Sequence, residues 1–180
     1  MNNVNGVKLG CALVSAFSIF ACGGASEPAK SPTDQASQMA RTRCGPDLDE
    51  SALEPVLSGK ALKNVEPLYS GNAASEGSKG NNQSELRGAV VNVQAVSGVT
   101  AEWLDRALEC HSAKRVLGQG PQAGAAEDPF WLPGSVVDID VQSAKDGFRV
   151  AIAGATPAEG QQILARAQSF ASARSSAGAK

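Results

Sequence analysis

The chain has 180 residues, enough for one domain with flanking sequence. Aromatic residues make up only 4%, so a core has to come from Val, Ile, Leu and Ala. A formal net charge of -2 excludes a broadly basic surface, and no nucleic-acid partner is expected. One histidine and four cysteines leave few soft ligands and few base–nucleophile pairs.

Met1 to Val7 is short and polar, and Lys8 adds positive charge to the amino terminus. Leu9 to Phe20 is then apolar or small throughout, a run of 12 residues. A helix needs roughly 20 residues to cross a bilayer core of about 30 Å. A charged start, a short apolar run and a small residue together read as an export signal. The run ends in Ile19-Phe20-Ala21-Cys22-Gly23-Gly24. This resembles the lipobox of bacterial membrane lipoproteins, with an aliphatic residue three places before the cysteine and a small one directly before it. The resemblance implies a lipoprotein signal peptide over 1–21, cleavage before Cys22, and lipid attachment, palmitate among its acyl chains, at Cys22. Phe20 departs from the small residue usual at its place, and an ordinary secretory signal cut nearby is the alternative. No acidic residue follows Cys22 directly, which resembles sorting to the outer rather than the inner membrane. Two or three acyl chains anchor stably at about 0.8 kcal/mol per buried methylene. The expected partner is therefore the membrane, through the anchor, and no cofactor is expected beyond the covalent lipid.

Residues 22–43 are rich in Ser, Ala, Pro and Gln without apolar periodicity, and read as a flexible tether. In 44–70, Leu48, Leu53, Val56, Leu57, Leu62, Val65 and Leu68 are punctuated by Pro55, Gly59 and Pro67. That pattern predicts a short helical segment packed on the main domain. Residues 71–84, dominated by Gly, Asn and Ser, read as a linker.

The main domain is expected over 85–172. Ala89, Val91, Val93 and Ala95 alternate with polar residues as a half-buried strand. Thr100 caps a helix with Glu102 in its first turn. Trp103, Leu104, Ala107, Leu108 and Cys110 lie on one side of it. Val137, Ile139 and Val141, then Phe148, Val150 and Ile152, alternate about Asp146-Gly147, a hairpin signal. Thr156-Pro157-Ala158-Glu159 is a capping box opening a last helix with Ile163, Leu164, Ala167 and Phe170 as its stripe. Residues 173–180 read as a disordered tail. The predicted fold class is α+β, a two-layer sandwich in the order β-α-β-β-α. It has a three-stranded sheet with two helices on one face, an incomplete ferredoxin-like pattern.

Cys110-His111 is the one pair of soft ligands, and helical spacing turns both toward the sheet side. Three readings are open. Cys110 is a core residue and His111 sits at the core edge, bonded to a backbone carbonyl or to Ser or Asp. Alternatively, Cys44 and Cys110 form a disulfide in an oxidising compartment, bridging the 65 residues 45–109. The third is a metal site for copper(I) or zinc at Cys110 and His111, with Cys44 as a further ligand. It is disfavoured because the two side chains diverge and a closed site needs three or four ligands. Asp138 and Asp140 share one strand face and read as solvated. No Gly-x-Ser-x-Gly, P-loop or Cys-x-x-Cys occurs. No catalytic residues, and so no enzymatic activity, are expected.

The run Gly98-Val99-Thr100-Ala101-Glu102-Trp103-Leu104, with Glu109-Cys110-His111, Asp128-Pro129-Phe130 and Gly147-Phe148, looks like a group of uncharacterised bacterial secreted proteins and lipoproteins. It imports no catalytic residues. The expected function is a membrane-anchored envelope lipoprotein, a non-enzymatic binding or structural module for an envelope protein or cell-wall partner. The alternative is a metal-binding or redox-responsive lipoprotein using Cys110 and His111.

Overall fold

A computed structural model describes residues 30–70, 84–119 and 128–177. The expected signal peptide over 1–21, Cys22 and almost all of the linker expected over 71–84 lie outside the described residues.

Helix α1 spans Pro32–Arg43. Ser31 caps it by accepting from the Asp34 N–H at 3.1 Å, and Pro32 opens it with a pre-set backbone angle. Asp34 in the first turn and Arg41 and Arg43 in the last complement the helix dipole. The tether expected over 22–43 is thus corrected for residues 32–43. Only Ala36 is buried on α1, so the helix carries no apolar stripe for a sequence pattern to reveal.

A 3-10 turn (Glu50–Leu53) and the one-turn helix α2 (Glu54–Leu57) follow, sending Leu53 and Val56 into the core. These are the short helical turns expected in 44–70, but the rest of that segment is corrected. Leu62–Tyr69 is a strand, β1. After it come β2 (Leu86–Gln94), α3 (Ala101–Val116), β3 (Asp138–Ala144), β4 (Gly147–Ala153) and α4 (Pro157–Ala177). The capping box forms as its residues dictate: the Thr156 hydroxyl accepts from the Glu159 N–H at 3.2 Å, and Glu159 Oε2 accepts from the Thr156 N–H at 3.0 Å. The tail expected over 173–180 is corrected in part, since α4 continues through Ala177.

The sheet is antiparallel throughout, in the order β1-β2-β4-β3. Pairing sets Val91 opposite Val150 and Ala89 opposite Ile152, with Ile139 and Val141 continuing those rows on β3. Because side chains alternate along a strand, these positions share one face. They pack with Leu104 and Leu108 of α3, Ile163 and Ala167 of α4, and Phe130 in one core. Asp138 and Asp140 are exposed on the edge strand.

The fold is α+β, as expected, but its sheet has four strands rather than three, and the described residues hold four helices rather than two. Strand β1 pairs antiparallel with β2 at one edge of the sheet, so the fourth strand comes from the segment before Leu86. Helix α1 packs on α3, and their seam buries Ala36, Ala113 and Cys110 apart from the main core.

Candidate functional site

Thr100 Oγ1 accepts from the Trp103 N–H at 3.2 Å and starts α3. Cys110 and His111 are neighbours on that helix and so point about 100° apart. The expected common orientation toward the sheet is corrected for Cys110, which enters the α1–α3 seam and bonds Cys44. The sulfur atoms are 2.04 Å apart and the Cα atoms 5.1 Å apart. Polar ties flank the bridge. Arg43 Nε lies 2.5 Å from Glu109 Oε2. Arg106 donates to the Arg43 carbonyl at 2.9 Å and reaches Asp47 with both prongs, at 2.9 and 2.8 Å.

His111 turns the other way. Its Nε2 is 2.7 Å from Asp128 Oδ2, and each side chain is 15% exposed. Asp128 is itself held: its Oδ1 accepts from the Phe130 N–H at 2.9 Å, and its backbone carbonyl accepts from Arg166 Nε at 2.9 Å. Phe130 is fully buried and meets the Phe170 ring edge-on, with centroids 6.4 Å apart. The 128–132 segment is therefore pinned onto α3 and α4.

Trp131 stands between two guanidinium groups. The Cζ atoms of Arg115 and Arg166 lie 4.8 and 5.3 Å from its ring centroid, within cation–π range. The Arg115 side chain is only 4% exposed, and its Nε is 3.9 Å from Asp128 Oδ2, an ion-pair distance too long for a hydrogen bond. Burial works against the charge of Arg166 and lowers its pKa, partly offset by Asp128 and reinforced by Arg115. On the opposite flank of α3, burial pushes the Asp105 and Glu109 carboxyls upward.

This arrangement holds His111 but does not arm it. The adjacent Ser112 hydroxyl is buried and makes no hydrogen bond among the described residues, so it is not coupled to the imidazole. The metal candidates Cys110 and His111 are drawn apart, and both thiols are committed to the bridge. Among the described residues, no three His, Cys, Asp or Glu side chains are placed to hold a metal ion. A groove of about 320 Å³ beside the β3–β4 turn is lined by Lys63, Asn92, Asp146 and Phe148 among others, with neither His nor Cys. No helix of the described residues is long and apolar enough to cross a membrane. Cys22 lies outside the described residues.

Sequence reasoning singled out His111 but missed Asp128, Arg115, Trp131 and Arg166 as its neighbours. The signal available was Asp128 next to Pro129, an Asx-type turn that fixes a carboxylate at a loop start. No family model matches the chain, and neither a curated protein nor a solved structure matches it.

Proposed function

We propose that this chain is a lipid-anchored lipoprotein of the bacterial cell envelope, outer membrane rather than inner, and that its α+β domain is a non-enzymatic binding or structural module. The observation that carries this is the Cys44–Cys110 bridge. Structural disulfides persist in exported, oxidising compartments. The bridge also completes the use of the four cysteines: Cys11 lies in the signal segment, Cys22 takes lipid, and the remaining two are bonded.

The bridge also sets how far the domain stands from the membrane. With α1 fixed to α3, residues 23–31 are the chain between Cys22 and the start of that helix. An extended chain of that length reaches at most about 35 Å. The longer tether expected from composition would have reached about twice as far. A module held this close works at the membrane surface or in the layer directly above it.

Metabolic labelling with an alkyne-tagged palmitate in a bacterial host tests the anchor. Label on the native chain, its loss in Cys22→Ser, and release of that variant from the membrane fraction are expected. Equal labelling of the two proteins would overturn the proposal.

A further inference from the structure

We propose that Arg115 and Trp131 form a recognition site for a carboxylate. Two observations meet there. Two guanidinium groups and one indole converge around a single carboxylate, Asp128, among the described residues. Independently, two buried donors in this cluster find no acceptor among the described residues: the Arg115 Nε–H and the Trp131 indole N–H. Buried N–H groups are almost always paired, and an unpaired one costs about 1–3 kcal/mol.

The two side chains that carry these donors are in contact, with the Arg115 Cζ 4.8 Å from the Trp131 ring centroid. Asp128 does not serve them. Its Oδ2 is engaged by His111 at 2.7 Å, its Oδ1 by the Phe130 N–H, and it stays 3.9 Å from Arg115 Nε. What the pair lacks is an acceptor with no proton of its own to place. The planar edge of a guanidinium offers parallel N–H groups that match the two oxygens of a carboxylate, and the indole N–H adds a third donor. The cation–π contact holds the arginine head over the Trp131 ring and limits its freedom. Pinning of the 128–132 segment by Phe130 holds Trp131 in place before any ligand arrives, which limits the ordering cost of binding. The site names the ligand class of the binding module proposed above. It stands on the geometry of the domain alone, so it survives or fails independently of the lipid on Cys22.

The test uses the full chain, ¹⁵N-labelled and kept in detergent, with acetate as the probe. The chain has two tryptophans, so the indole region holds two Nε1–H resonances, and Trp103→Phe assigns them. At constant ionic strength, acetate should move the Trp131 resonance saturably and leave that of Trp103 in place. Arg115→Lys removes the flat donor edge and should weaken the response about tenfold or more. Should Arg115→Lys fail to fold, Trp131→Phe gives the same information through the Arg115 Nε–H resonance, which should then respond more weakly to acetate. Three results overturn the proposal: no saturable shift with acetate, as for donors served by water; a shift equal to that with chloride; or a response to inorganic phosphate and none to acetate. Any of these in a protein that still labels at Cys22 leaves the envelope placement standing.

Discussion

Arg106 grips Asp47 with both prongs of its guanidinium, at 2.9 and 2.8 Å, one helical turn before the bridged Cys110. The same side chain donates from Nε to the Arg43 carbonyl at the end of α1. The fork and the disulfide together bind the amino-terminal segment to α3. The fork is on the surface, where ion pairs contribute little. The covalent tie therefore dominates, and α1 should depend on it.

Replacing Cys44 and Cys110 by Ala opens a loop of 66 positions. In the chain-entropy account this frees the unfolded state by about 4 kcal/mol. Urea unfolding should show a loss of that order. Hydrogen exchange should show β2 and β4 amides losing protection only in step with global stability, and α1 amides losing more, through local release of the helix. An α1 loss no larger than that of β2 and β4 would show that α1 is integral to the core rather than strapped to it.

Helix α4 crosses β2 closely at Gly160. A Cβ placed there would lie 2.7 Å from the Arg87 carbonyl carbon and 2.8 Å from the Leu86 oxygen, both backbone atoms. Alanine ordinarily gains about 1 kcal/mol over glycine inside a helix. In Gly160→Ala the forced separation should outweigh that gain, for a net loss of about 1–3 kcal/mol. A rise in the thermal midpoint would contradict the close crossing.

The capping box gives a third test. Glu159 accepts from the Thr156 N–H and from the Ser135 hydroxyl at 2.5 Å, and the Ser135 bond is the main reason its carboxyl is held below the usual value. Glu159→Ala should cost about 1 kcal/mol in denaturant unfolding near neutral pH. A lowered folded pKa contributes stability above the unfolded value and loses it as pH falls through the folded value. The difference between the two proteins should therefore narrow toward pH 3.

Asp105 behaves in the opposite sense. Burial raises its pKa, Arg43 and a Val141 backbone hydrogen bond lower it, and Asp140 and Asp138 raise it further. A raised carboxyl contributes stability that is complete below the unfolded value and is lost as pH rises through the folded one. Asp105→Asn keeps an oxygen for Val141 and removes the charge. It should be more stable than the native chain at pH 7, with the advantage vanishing below about pH 4. An advantage independent of pH would mean that the charge is not the cause.

Much of the fold was legible because local patterns and tertiary packing agree. Ala89, Val91 and Val93 alternate in the sequence and do line the core, and Thr100 and Thr156 do cap their helices. Asp146-Gly147 does connect β3 to β4. Strand β1 was hidden because it lies at an edge. Only every third residue is partly shielded, and Asn64 and Pro67 interrupt any alternation. Helix α1 was hidden because it is held by a bond and ion pairs rather than by an apolar stripe. At the site, His111 was conspicuous as the one histidine, but Asp128 is 17 positions away in the chain. Arg115 carried no sequence signal of its own, and only the packing of Trp131 against it reveals its burial.

The envelope placement and the strapped amino terminus meet in one quantity, the intact mass of the protein purified from bacterial membranes without reductant. The predicted species begins at Cys22, carries acyl lipid there, and is two hydrogens lighter than the dithiol form because Cys44 and Cys110 are joined. A protein that retains residues before Cys22, or one cut elsewhere and free of lipid, would contradict the account.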